Sequence, residues 1–96
     1  MAIANQDVIN AELAISELPR ARTLPSAQSL QIVQHIHQTI GNKGIWPDSI
    51  ERAQSEAWLA VGAIRQTLEK QGDCPSDLWD KAIELTKRWR GALLMP

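Results

Sequence analysis

Residues 48–71, DSIERAQSEAWLAVGAIRQTLEKQ, decide the fold of this chain. Ile50, Ala53, Ala57, Ala60, Val61, Ile64 and Leu68 recur there at the three- and four-residue steps that place side chains on one face of an α-helix. Asp48 followed three residues later by Glu51 reads as a variant of the capping box with Pro47 just outside, and Gly72 closes the pattern after Gln71. The alanines in the first half let a neighbouring backbone come toward the short end of the usual ~8–10 Å between helix axes. This segment is therefore expected to be the spine of a helical bundle.

Three further helical segments surround it. Residues 5–17 carry Val8, Ala11, Ile15 and Leu18 in 3-4-3 spacing, and Pro19 should stop the helix because its ring clashes with the preceding turn and forces the residue before it extended. A loop from Pro19 to Pro25 would follow. The next segment starts near Ser26 as N-cap and buries Leu30, Val33, Ile36 and Ile40, and Gly41-Asn42 offers a left-handed cap. Its opposite face is uncharged and polar: Gln28, Gln31, Gln34, His35 and Gln38. The last segment begins around Cys74 or Pro75, presents Leu78, Ala82, Leu85 and Trp89 on one stripe, and should end at Gly91. Asp77 and Asp80 lie early in it and Lys87, Arg88 and Arg90 late, as the helix dipole favours. No alternation of β-branched residues signals a strand. The expected class is all-α, a single domain over residues 1–96 built as a compact four-helix bundle of two antiparallel hairpins, because the connections are short.

Composition bounds what such a bundle can do. A chain of 96 residues buries little more than about 60 % of its unfolded surface. Phe and Tyr are absent, so four Trp supply every aromatic ring and must key a core of Leu, Ile, Val and Ala. The net charge of −1 gives no field for a phosphate backbone or an anionic membrane. Cys74 is the single cysteine, which excludes an internal disulfide and a cysteine-based zinc cluster within one chain. The first residues lack a basic stretch followed by an unbroken apolar run, and nothing approaches the ~20 apolar residues of a membrane span, so a cytoplasmic protein that does not enter a membrane is expected.

Catalytic machinery has no signature here. His35 and His37 are about 160° apart on a helix and cannot chelate one metal from a single face. His37 projects onto the apolar arc near Val33, which suits a boundary histidine better than a general base. Gly41-Asn42-Lys43-Gly44 lacks the spacing of a phosphate loop and reads as a turn between helices. A site assembled from His37, Glu56 and Asp80 has nothing in the sequence to select it. The expectation is no enzyme, no cofactor and no metal. Arg20, Arg22, Arg88 and Arg90, the last two flanking Trp89, are the only hint of nucleic-acid contact, and they fall short of a basic patch.

The remaining signal is apolar surface beyond one stripe per helix. Ile9/Leu13, Leu59/Ala63 and Trp79/Ile83 are i,i+4 pairs set off from the core faces, though the Pro19–Pro25 loop or the C-terminal tail offers a cover for Ile9 and Leu13. Trp58 stands four residues before Gly62, whose place inside a helix costs about 1 kcal/mol relative to Ala. Close approach of a neighbouring helix would explain that glycine, and so would a partner anchored on Trp58. Ile9, Leu13, Trp58, Leu59, Trp79 and Ile83 are accordingly the candidate contacts with another protein or a second copy. The expected function is that of a small adaptor, inhibitor or assembly factor, a simplicity common among phage and mobile-element proteins. A small nucleic-acid-binding regulator using the four arginines is the alternative.

Overall fold

In the computed structural model of the chain, residues 5–41 and 46–95 are described, and of Asn5 only the backbone. Among them four helices form and no strand: α1 Asn5–Arg22, α2 Ser26–Ile40, α3 Asp48–Gln71 and α4 Ser76–Leu94. They close a ring in which α1 packs on α2, α2 on α3, α3 on α4 and α4 on α1, with no close backbone approach across either diagonal among the described residues. The body measures 42 × 18 × 17 Å, about the length of α3 at 1.5 Å per residue with its ends added. The starts of α2 and α4 thus share one end of the bundle with the finishes of α1 and α3.

The spine reads as its spacing requires. Ile50, Ala57, Ala60, Val61, Ile64 and Leu68 are buried, and Gly72 ends α3 at φ 71° with its amide on the Leu68 carbonyl at 2.9 Å. That left-handed position is one a side chain would strain. Gly41 differs from the expected left-handed cap: it stays right-handed at φ −77°, and the cap and turn read at Asn42, Lys43 and Gly44 lie outside the described residues.

Pro19 does not stop α1. The helix continues through it to Arg22, because the ring removes one backbone bond while burial of Leu18 and Ala21 on either side holds the turn. The cost of an interior proline, ~3 kcal/mol, is of the same order as the ~1.5–3 kcal/mol from burying one leucine. Thr23 to Pro25 is then all that links α1 to α2, so the loop that could have covered Ile9 and Leu13 does not exist. Gly91 likewise fails to end α4, which runs on to Leu94 and seats Leu93 in the core.

The buried stripes of three helices keep most of their expected members, Ala11 and Leu18 in α1, Val33, Ile36 and Ile40 in α2, Ala82 and Trp89 in α4, and differ by a one-residue shift at one or two positions each. In α1 the core residues are Ala11, Ala14, Leu18 and Ala21, with Ile15 at the flank. In α2 Ser29 takes the place expected of Leu30, and in α4 Trp79 and Thr86 replace Leu78 and Leu85. Trp79 is 4 % exposed, so its assignment to a contact surface is corrected: it is core, and Ile83 is half-buried against the same core. Leu18, Ile36, Ile40, Ile50 and Ile64 fill the centre with Trp89, while the smaller Ala14, Ser29 and Thr86 take positions where Ile15, Leu30 and Leu85 were expected and leave those three at the flanks.

Helix starts also differ. Pro25, Pro47 and Pro75 are the N-cap residues of α2, α3 and α4, each extended, and none of the three helices has a side-chain cap hydrogen bond. The expected cap at Ser26 and the Asp48/Glu51 box therefore do not form. Ser26 instead donates its hydroxyl to the Gly72 carbonyl and ties the start of α2 to the end of α3.

Candidate protein-binding face

Among the described residues, the large apolar side chain within a helix that is most exposed is Leu59, at 63 %, on the outward side of α3. A helix buries one arc, and Leu59 falls opposite the arc of Ala57, Ala60 and Ile64. Exposed Trp58 stands beside it. On either side of this ridge runs a groove.

The groove toward α4, of about 330 Å³, has Ala60, Ala63, Leu78 and Leu85 as its floor and Glu56 and Lys81 at its rim. Leu78 and Leu85 reach it because α4 turned them out of the centre. Neither Glu56 nor Lys81 forms an ion pair among the described residues.

The groove toward α2, of about 350 Å³, is built around an aromatic stack. The His37 imidazole lies on the Trp58 indole with centroids 4.7 Å apart and planes at 17°. Two glycines make room for the pair. A Cβ on Gly62 would sit 2.9 Å from His37 Nε2, and one on Gly41 would sit 2.8 Å from Trp58 Nε1. The compensation that Gly62 called for is thus supplied within the chain, by His37 of α2. Arg65 donates to His37 Nδ1 at 3.3 Å and also faces Glu69 at 3.7 Å. Accepting from a guanidinium requires an unprotonated Nδ1, so the imidazole is neutral with its proton on Nε2. Its pKa is held below the ordinary histidine value, first by burial, then by the Arg65 charge, with Glu69 opposing.

The other candidates lie elsewhere. Ile9, 56 % exposed, and Leu13, exposed beside a groove between α1 and α2, sit on α1, the helix diagonal to α3. The structure therefore does not bring the six candidates together: Trp58 and Leu59 share one face, Ile9 and Leu13 are on another side, and Trp79 is inside. The four arginines each meet a carboxylate, Arg20 with Glu17 at 2.6 Å, Arg22 with Asp80 at 2.8 Å, Arg88 with Glu84 at 3.3 Å and Arg90 with Glu12 at 3.7 Å. Sequence reasoning missed Glu56, Lys81 and Arg65 as neighbours of the face, since only the pairing of helices reveals them.

Among the described residues no three His, Cys, Asp or Glu gather as a metal site. Burial and Asp73 push the Cys74 thiol above its ordinary pKa, away from a reactive thiolate. No helix of the described residues is long and apolar enough to cross a membrane. Comparison with family models, with curated proteins and with solved structures finds no match to this chain.

Proposed function

We propose that this protein is a non-enzymatic interaction module, a small adaptor or assembly factor whose docking surface is the outer face of α3. Leu59 carries the reading. An isolated exposed leucine is ordinary, but one that projects between two grooves, next to a half-exposed indole, is a knob beside its own hole. A surface of that form is self-complementary. Under a two-fold axis Leu59 of each copy enters the Ala60/Ala63/Leu85 groove of the other, and Glu56 faces the Lys81 of the opposite copy and the reverse. The occupant of the groove is thus a second copy of this chain. The paired arginines make nucleic-acid binding the weaker reading, since each would surrender a carboxylate to bind phosphate.

Sedimentation across a concentration series tests this. The wild type should pass from monomer to dimer, and Leu59→Glu should raise the dimer Kd by about thirtyfold or more, the ~2 kcal/mol of a central contact. Glu56→Lys should weaken pairing and Lys81→Glu in the same chain should restore it. A chain that stays monomeric throughout, or a Leu59→Glu variant that pairs as well as wild type, overturns self-association through this face.

A further inference from the structure

Beside the ridge that pairs two copies sits a group able to change its charge near neutral pH, the His37 imidazole. It is half-buried, stacked on Trp58 with centroids 4.7 Å apart, and engaged at Nδ1 by Arg65 at 3.3 Å. Its seat is tight. The 2.9 Å approach to a Cβ on Gly62 and the 2.8 Å approach of Trp58 to one on Gly41 mean that the two rings lie directly against the backbones of α3 and of the end of α2.

Few charges face this ring. From α3 come Arg65 and Glu69, 3.7 Å from each other, and both line the groove with it. Its own helix adds none, since α2 has no acidic residue, lysine or arginine and its other histidine, His35, is exposed in the groove shared with Glu17 and Arg20 of α1. Across the diagonal, α4 makes no close backbone approach to α2 among the described residues. Arg65 therefore decides. A protonated ring cannot accept from the guanidinium and would set two cations against each other at hydrogen-bond distance. Burial and Arg65 accordingly hold the His37 pKa below its ordinary value, against the pull of Glu69.

The two grooves flanking the ridge have walls in common, because Leu59 and Ala63 belong to both. A second copy whose Leu59 seats on Ala63 thus overhangs the His37 side as well, and takes water from the imidazole and from Arg65, which is 31 % exposed. Loss of water disfavours the charged ring. From this geometry we propose that pairing through the α3 face is proton-gated: two copies hold together while His37 is neutral and part when each takes up a proton. The gate rests on the pairing proposed above. Linkage is reciprocal, so if pairing makes His37 harder to protonate, protonation weakens pairing by the same factor. Each copy must give up its proton to pair. Pairing is therefore complete above about pH 6.5 and is lost as the pH falls through the lowered His37 pKa of the separate copies.

The experiment is sedimentation of the full-length chain across a concentration series at about pH 7.5 and about pH 5, the interval in which histidine is the side chain that ordinarily changes charge, with helical content followed by circular dichroism. The dimer Kd should rise about tenfold or more at the lower pH, roughly threefold for each of the two imidazoles, while helical content holds. His35→Gln should keep that dependence, and His37→Gln should flatten it. In the wild type, the imidazole proton resonances of His37 should titrate at lower pH in a concentrated, paired sample than in a dilute one, a readout that needs no variant at His37. A chain that is monomeric at the higher pH overturns the pairing and the gate with it. A dimer whose Kd is the same at both pH values, dissociation that comes only with loss of helix, a His37→Gln dimer with the wild-type dependence, or a His37 midpoint that ignores concentration overturns the gate alone.

Discussion

The two ends of the bundle solve the same problem in contrasting ways. At the end where α1 and α3 begin, two indoles meet: Trp46 donates from Nε1 to Asp7 Oδ2 at 3.1 Å and its ring lies edge-on at 6.2 Å to Trp89, whose own buried Nε1 has no partner among the described residues. There the Gln54 amide, fully buried, caps the Ile40 carbonyl of α2 at 2.6 Å. The other end has Ser29 at its centre with an idle hydroxyl, a serine-to-carbonyl tie at the rim and an ion pair outside. One end is sealed by aromatic mass and the other is left open and polar. In a chain with four indoles and neither Phe nor Tyr, placing Trp46 and Trp89 together concentrates aromatic packing at one end.

The contrast breaks most severely at Trp89. Trp89→Ala removes the largest fully buried side chain and should cost about 3–5 kcal/mol in urea denaturation, enough to unfold a marginal domain of this size. A loss below about 1 kcal/mol would mean that the sealed end is not where stability resides. Next, Asp7→Ala leaves the buried Trp46 N–H without its acceptor and should cost about 1–3 kcal/mol by the same measurement. An unchanged denaturation midpoint would remove the buried bond from the account. A smaller effect sharpens the contrast through pH. His37 is neutral in the fold with its pKa below the unfolded value, so its contribution is complete above about pH 6.5 and is lost as pH falls through the folded pKa. His37→Gln should flatten that part of the stability profile, and an identical profile in the variant would assign the acid sensitivity elsewhere. The smallest change belongs to the open end, where Ser29→Ala should leave stability within ~0.5 kcal/mol of wild type or slightly above it. A clear destabilisation would show that the hydroxyl has a partner in the fold.

How much of this could be read in advance depends on whether the deciding contact is local. The α3 arc was legible because its alanines and aliphatics repeat without competition, and the four-helix class followed from the breakers around it. Most of the α1, α2 and α4 stripes was legible as well, but the exchanges at a few of their positions were not. A side chain's size suggests that Leu30, Ile15 and Leu85 should be central, whereas the bundle buries Ser29, Ala14 and Thr86 instead. The exchange at Leu78 carried Trp79 inward and took it off the list of contacts. Pro19 misled because the penalty of the ring is local while the burial of Leu18 and Ala21 that offsets it is not. The exposure of Leu59 was legible from helical projection alone, whereas that of Ile9 and Leu13 hung on whether a loop or the tail covered them, and Trp58 stood at the margin of the α3 arc. Gly62 signalled a close approach, but that His37 makes it, and that Gly41 accommodates the stacked indole, depends on the register of α2 against α3, which no spacing within either helix encodes.

The His37–Trp58 stack also gives the molecule an optical voice of its own. Electron transfer to a protonated imidazole quenches indole emission, so acidification should dim one fluorophore of four while Trp46, Trp79 and Trp89, away from any imidazole contact, keep shining. Anything that settles on the outer face of α3 would alter the same glow, so the chain reports its own occupancy without a dye.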